Sequence, residues 1–195
     1  MIFFDGELYN KNELINELEL LGHVFINKTD IEVAEHAYTE WQENAVKKFN
    51  GIFAFAICEK NSNRVFCARD RIGVKPFFYA VKDGEFIFAS KIKTLLQKIP
   101  AEIDTQSMAE IILIGPGRTP GYSIFKNISE LEPAMSGIFE NGKFKKYKYW
   151  NLTDGEHTDS FEQTAEKVNY LVIDSIKRQL NSDKICTFLS GGLDL

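Results

Sequence analysis

The chain has 195 residues, 44% of them hydrophobic and 26% charged, with 23 lysines and arginines against 28 acids for a net charge of −5. These proportions exclude a disordered or collagen-like chain and argue against any nucleic-acid or membrane partner held by overall positive charge. No run reaches the ~18 apolar residues of a membrane span, no secretory leader opens the chain, and three cysteines (Cys58, Cys67, Cys186) without metal-ligand spacing predict a reduced, cytoplasmic protein.

The chain opens directly on the apolar strand pattern Met1-Ile2-Phe3-Phe4. Asn10, with Glu13 three residues on, predicts a helix that buries Leu14, Leu18 and Leu21. Thr29-Asp30-Ile31-Glu32 reads as a capping box ahead of Ala34, Ala37, Tyr38 and Trp41 at helical spacing. From Gly51 to Ala89 the pattern turns to strands: Ile52–Ile57, Val65–Ala68, and a hairpin of 77–81 with 85–89 around Asp83-Gly84. Ser90 opens a short helix with Ile92, Leu95, Leu96 and Ile99 inward. Asp104 caps another that stops at Gly115, and 115–121 is loop. A second hairpin, 135–140 with 143–147, turns at Asn141-Gly142. Polar residues 151–160 form a linker to a long helix with Phe161, Ala165, Val168, Val172 and Ile176 on one face. A buried strand, 184–189, then runs into Ser190-Gly191-Gly192-Leu193-Asp194-Leu195. The fold class predicted is α+β over 1–152, with the entry to a separate α/β domain over 153–195. Both ends look abrupt, as in a piece of a longer protein.

Three segments carry chemistry. Glycines after a parallel strand bring backbone N–H groups close to a phosphate; there Ser190 can donate a hydroxyl and Asp194 can hold Mg²⁺. The plain alternative is a Gly-Gly turn with a surface acid. In Asp5-Gly6-Glu7, glycine admits close backbone approach, and Glu7 with Asp30 suits an ammonium group; the alternative is a turn acid and an N-cap. Ala68-Arg69-Asp70-Arg71-Ile72-Gly73-Val74-Lys75-Pro76 reads as structural, with Arg69 and Asp70 paired. His23, His36 and His157 are assigned no role, and Cys58 and Cys67 read as small core residues.

The order of Asp5-Gly6-Glu7-Leu8-Tyr9-Asn10, Gly22-His23-x-Phe25, Asp30-x-Glu32-Val33, Phe49-Asn50-Gly51-x-Phe53-Ala54-Phe55-Ala56, the Ala68–Pro76 segment, Phe88-Ala89-Ser90-x-Ile92-Lys93, Tyr149-Trp150 and Ser190-Gly191-Gly192-Leu193-Asp194 resembles glutamine-hydrolysing asparagine synthetase. The resemblance covers essentially the whole chain. It implies an incomplete N-terminal-nucleophile-hydrolase αββα sandwich, a class II glutamine amidotransferase domain, followed by the first helix and strand of an ATP-pyrophosphatase-type synthetase domain. Such a protein hydrolyses glutamine to ammonia, adenylates aspartate with ATP and Mg²⁺, and lets ammonia displace AMP to give asparagine. Carried over by residue, Asp5 and Gly6 stand at the oxyanion site. Asp5, Gly6, Glu7 and Asp30 line the glutamine site. Leu189, Ser190, Gly191, Gly192, Leu193 and Asp194 contact ATP, with Asp194 on the metal.

Three departures set expectations for this chain. The family nucleophile is a cysteine directly after Met, with its own amine as base; here residue 2 is Ile, and no catalytic residue is assigned. The family has asparagine where Asp5 stands, and losing one oxyanion donor costs roughly 2.7–4 kcal/mol of transition-state stabilisation. The nucleotide loop reaches only Leu195. The 195 residues are therefore expected to catalyse neither half-reaction and to hold neither ATP nor Mg²⁺ by themselves. Glutamine, aspartate and ATP would be ligands of the longer parent. The alternatives are a β-lactam synthetase-like ligase and a non-catalytic glutaminase-like interaction module. Exposed sheet edges in a truncated sandwich lead to an expectation of homodimerisation or aggregation.

Overall fold

The computed structural model describes residues 1–60, 62–115 and 119–180. They fall into two units, Met1–Leu152 and Thr153–Leu195. In the first unit, β1 (Ile2–Leu8) leads into helices α1 (Lys11–Leu20), α2 (Asp30–Trp41) and α3 (Ala45–Lys48). Strands β2 (Gly51–Cys58), β3 (Val65–Arg69), β4 (Phe78–Lys82) and β5 (Glu85–Ala89) follow, then α4 (Ile92–Leu95), α5 (Thr105–Ile114), β6 (Ser129–Glu130), β7 (Met135–Glu140) and β8 (Lys143–Lys148). They build two sheets, a five-stranded one in the order β1-β2-β3-β7-β8 and a three-stranded one in the order β5-β4-β6.

Side-chain size along β2 explains the layering. Successive strand residues face opposite sides. Phe53, Phe55 and Ile57 turn to α1–α3 and pack with Leu14, Leu18, Val33, Val46, Phe49 and Phe66. Burying each large side chain there is worth roughly 2–3 kcal/mol. At mid-strand the opposite face carries the small Ala54 and Ala56, joined by Cys67, and this shallow surface receives Phe77, Tyr79 and Leu131 from the smaller sheet's side. The smaller sheet alternates in its turn, so that Phe78, Ala80, Ile87 and Ala89 pack with Leu95 and Ile99 on its far side. The result is helix, sheet, sheet, helix: an αββα sandwich of the α+β class.

Both predicted hairpins form, with Lys82 opposite Glu85 and Glu140 opposite Lys143. Asp83, Gly84, Asn141 and Gly142 all take positive φ, as the tight turn requires. Thr29 caps α2 by accepting from the Glu32 N–H. The Glu32 carboxylate does not close the box; it reaches further back to the N–H groups of Ile26, Asn27 and Lys28, and those bonds hold it below the usual carboxylate range. Two details differ from expectation. Asn10 precedes α1 but makes no cap: its side chain is taken by Lys48 O and Asn50 N, which dock β1's exit on β2's entry. Ile15 is buried in α1 and Leu21 is exposed.

In the second unit, α6 (Phe161–Gln179) starts at a full capping box between Ser160 and Gln163. Phe161, Val168, Val172 and Ile176 are exposed along it. The predicted strand 184–189 lies outside the described residues, and so does the loop that follows it. No helix among the described residues is long and apolar enough to cross a membrane.

Candidate functional site

The site is built on β1, an edge strand. Met1 and Cys58 exchange both backbone hydrogen bonds, and Tyr9 N–H donates to Asn50 O. In an antiparallel ladder such pairs recur every second residue, so residues 1, 3, 5, 7 and 9 point their backbone at β2. The N–H and C=O groups of Ile2, Phe4 and Gly6 therefore face outward. Leu8 follows the same alternation, and its N–H is taken by Asp30 Oδ1 at 2.9 Å. Gly6 must be glycine. Its φ is +144°, and a Cβ there would lie 2.1 Å from Ile52 O.

Asp5 points to the smaller sheet, where Lys75 Nζ lies 2.9 Å from Oδ1. The Lys75 and Ser90 hydrogen bonds outweigh desolvation and hold its carboxyl below the usual range. A group with a depressed pKa contributes stability above its unfolded pKa, about 3.9, and loses that contribution as pH falls through the folded value. The stability gap between wild type and Asp5→Asn should thus be flat above about pH 5 and close below about pH 4. Denaturation at several pH values measures it. A gap that persists in acid would show that the ion pair is not its source.

Lys75 is positioned by a buried scaffold. The Asp70 carboxylate, 0% exposed, accepts from the N–H groups of Phe53, Ile72, Gly73, Val74 and Lys75 at 2.7–3.3 Å. The Arg69 guanidinium donates to Lys75 O, Leu131 O and Gly73 O and pairs with Glu130 at 3.0 Å. The expected Arg69–Asp70 pair does not form. Asp70 is spent on the turn's backbone, and Arg69 ties that turn to the chain beyond β6.

Asp30, the first residue of α2, also lies 3.6 Å from Lys11 Nζ. Both of its oxygens are thus engaged at the end of β1. Glu7 sits near Tyr9, whose hydroxyl is raised by burial first and then by the charges of Glu7 and Asp70. A groove of about 540 Å³ runs between the sheets along β1, lined by Phe3, Asp5, Ile31, Phe77, Phe88 and Ser90 among others. Of the four predicted glutamine-site residues, Asp5 lines this groove. Gly6 offers its N–H at the adjoining edge, while Glu7 and Asp30 lie at the exit of β1 and not in the groove wall. The predicted nucleotide loop, Leu189, Ser190, Gly191, Gly192, Leu193 and Asp194, lies outside the described residues.

Burial raises both described thiols, Cys58 and the fully enclosed Cys67, so neither is an activated nucleophile. No group of three or more His, Cys, Asp or Glu side chains among the described residues could hold a metal. Sequence reasoning gave Lys75 and Ser90 no site role. Their signal lay in the turns that follow β3 and β5, but only the stacking of the two sheets brings them to Asp5. His23 and His36, expected to be scattered, meet at 2.8 Å between Nδ1 atoms, and His23 also contacts Glu40. This chain of polar contacts ties the segment after α1 to α2.

Comparison with known proteins bears on this geometry. Asparagine synthetase (glutamine-hydrolyzing) 3 of Bacillus subtilis is 47% identical over 99% of this chain and 32% of its own length. A putative asparagine synthetase (glutamine-hydrolyzing) 2 of Methanocaldococcus jannaschii is 36% identical over 100% of this chain and 38% of its own. The chain thus spans about a third of the curated relatives it matches. Among solved structures, the glutamine phosphoribosylpyrophosphate amidotransferase of B. subtilis, complexed with ADP and GMP, matches 76% of this chain and 29% of its own at TM-score 0.51 and 18% identity. The allosteric regulatory enzyme of purine biosynthesis matches 76% and 28% at TM-score 0.52 and 19% identity. These likenesses show the N-terminal-nucleophile-hydrolase fold alone. The glutamine amidotransferase domain family matches residues 1–150, most of the chain, and the protein belongs to that family.

Proposed function

We propose that residues 1–152 are the glutamine-recognising part of an asparagine synthetase and that the 195-residue chain does not turn glutamine over. The observation that carries the reading is the outward N–H of Gly6, a backbone donor on β1, the outermost strand of the larger sheet among the described residues, beside the groove. Such a donor suits the oxyanion that forms when an amide carbonyl is attacked. Glu7 and Asp30, at the exit of the same strand, would take the α-ammonium of glutamine. To do so, Asp30 exchanges the Lys11 ammonium for that of the ligand.

Turnover needs more. Asp5, held ionised by Lys75, accepts hydrogen bonds and cannot donate one. The two described thiols are raised by burial and sit within strands, so neither cysteine carries an α-amine of its own. In a longer protein of this kind, ATP with Mg²⁺ would activate the aspartate side chain and ammonia would displace AMP. Residues 189–194 would contact the nucleotide, and Asp194 the metal.

The test is to titrate the ¹⁵N-labelled chain with glutamine and to assay glutamate. Amide shifts at Gly6, Glu7 and Asp30 with no glutamate released are expected. Unshifted amides at saturating glutamine would remove the binding assignment. Glutamate release abolished by thiol alkylation would overturn the claim of inactivity.

A further inference from the structure

The segment between α1 and α2 is held at two places by different chemistry. At its far end the Glu32 carboxylate takes the N–H groups of Ile26, Asn27 and Lys28, and Thr29 caps α2. At its near end the hold is a pair of imidazoles. His23 Nδ1 and His36 Nδ1 lie 2.8 Å apart with the rings edge to face, and His23 Nε2 lies 3.0 Å from Glu40 Oε2. The Phe25 ring rests on His36, 4.6 Å between centroids. The His23 N–H donates to Leu18 O at the end of α1.

A contact between two Nδ1 atoms limits the protons that the pair can carry. One nitrogen donates and the other accepts, so one of the two rings has no hydrogen at Nδ1. The closed pair therefore carries at most one positive charge. When both rings are imidazolium, two N–H hydrogens point at each other across 2.8 Å and the contact breaks. The surrounding charges do not relieve this. Glu32 and Glu40 stand one turn before and one turn after His36 on α2, and Lys28 is paired with Glu19 of α1. The two carboxylates favour a first proton on the pair. Neither can stand between the Nδ1 atoms, where the second proton would go.

We propose that His23 and His36 form an acid-sensitive latch, which holds residues 22–25 on α2 at neutral pH and releases them on the second protonation, while the Glu32 clamp keeps residues 26–30 in place. The sign follows from counting protons. The open segment binds two protons on these rings and the closed one binds one at most, so acid favours the open form. Imidazoles in an open segment take up protons at about pH 6.5. Below that range the open form gains about tenfold on the closed one per pH unit, for one proton of difference. Glu32, held below the usual carboxylate range by its backbone hydrogen bonds, keeps its charge through the same interval. The latch requires no glutamine and stands apart from the functional reading above.

NMR titration of the whole chain between about pH 7.5 and 5.5 tests the proposal. The imidazole signals of His23 and His36 and the ring signals of Phe25 are expected to move together, with loss of the Phe25–His36 contact, and to return on neutralisation. The Ile26, Asn27 and Lys28 amides should keep their protection from exchange through that step. His36→Asn places beside His23 Nδ1 a carboxamide that accepts its hydrogen and takes up no proton of its own, so the Phe25 signals should then stay fixed over the same range. The wild-type titration stands whether or not this variant folds. Four results would each overturn the proposal: a pair still short of its second proton at the acid end, full protonation with the Phe25–His36 contact kept, a Phe25 step that survives in His36→Asn, or loss of protection at residues 26–28 in the same step.

Discussion

Asp70→Ala should lower the unfolding free energy by about 4 kcal/mol, the largest loss expected from any single substitution in the 70–76 turn. Five backbone donors converge on this fully buried carboxylate. Hydrogen bonds to a charged acceptor contribute roughly 1.5–3 kcal/mol each when lost singly, and they are not additive when shared. Removal leaves N–H groups without partners in a site closed to water. Asp70→Asn should recover only part of the loss, because its NH₂ must face donors where the carboxylate accepted. Urea denaturation gives both values. A loss below about 1 kcal/mol for the alanine variant would mean that the turn is held mainly by Arg69 and by packing. The damage should spread to the site, because the same carboxylate fixes the Lys75 backbone and so brings its ammonium to Asp5. Asp5 should then titrate nearer the ordinary carboxylate range, which NMR can follow.

Gly6→Ala is expected to cost about 3 kcal/mol or more and to detach β1 from β2 locally. The added carbon would lie 2.1 Å from Ile52 O and 2.7 Å from Phe53 Cα, both backbone atoms of a central strand that cannot move aside cheaply. Gly22→Ala is the control. It also has positive φ, +93°, but its Cβ meets nothing within 4 Å, so only the backbone preference of roughly 1–2 kcal/mol is lost. Thermal melting of the pair separates close approach from conformational strain. If Gly6→Ala melts no lower than Gly22→Ala, the strand is free to shift, and the Gly6 N–H is not a fixed donor.

Much of the fold was legible because its signals are local. The apolar runs at 52–57 and 65–68, the two glycine turns and the caps at Thr29 and Asp104 all appear where the pattern placed them. The misreadings share one cause. Arg69 and Asp70 were paired because they are adjacent and opposite in charge, yet consecutive residues leaving a strand point to opposite sides. Asn10 was assigned to its own helix, whereas Lys48 O and Asn50 N, about forty positions away, compete for the same amide. His23 and His36 appeared unrelated because nothing local shows how the segment after α1 folds back on α2.

The candidate site divides in the same way. The residues Asp5-Gly6-Glu7 and the helix start at Asp30 are visible in the chain as a strand-end glycine flanked by acids and a capped helix. The sequence also determined the alternation of Phe53, Phe55 and Ile57 with Ala54 and Ala56, which commits β2 to one deep face and one shallow face. What only the tertiary structure decided is what fills the shallow face. Stacking the smaller sheet there brings Lys75 and Ser90 to Asp5 and opens the groove beside Gly6. A residue's hydrophobic period records which side it buries, because that is a property of one strand. It does not record which other strand arrives there, because that depends on how all the layers fill space together.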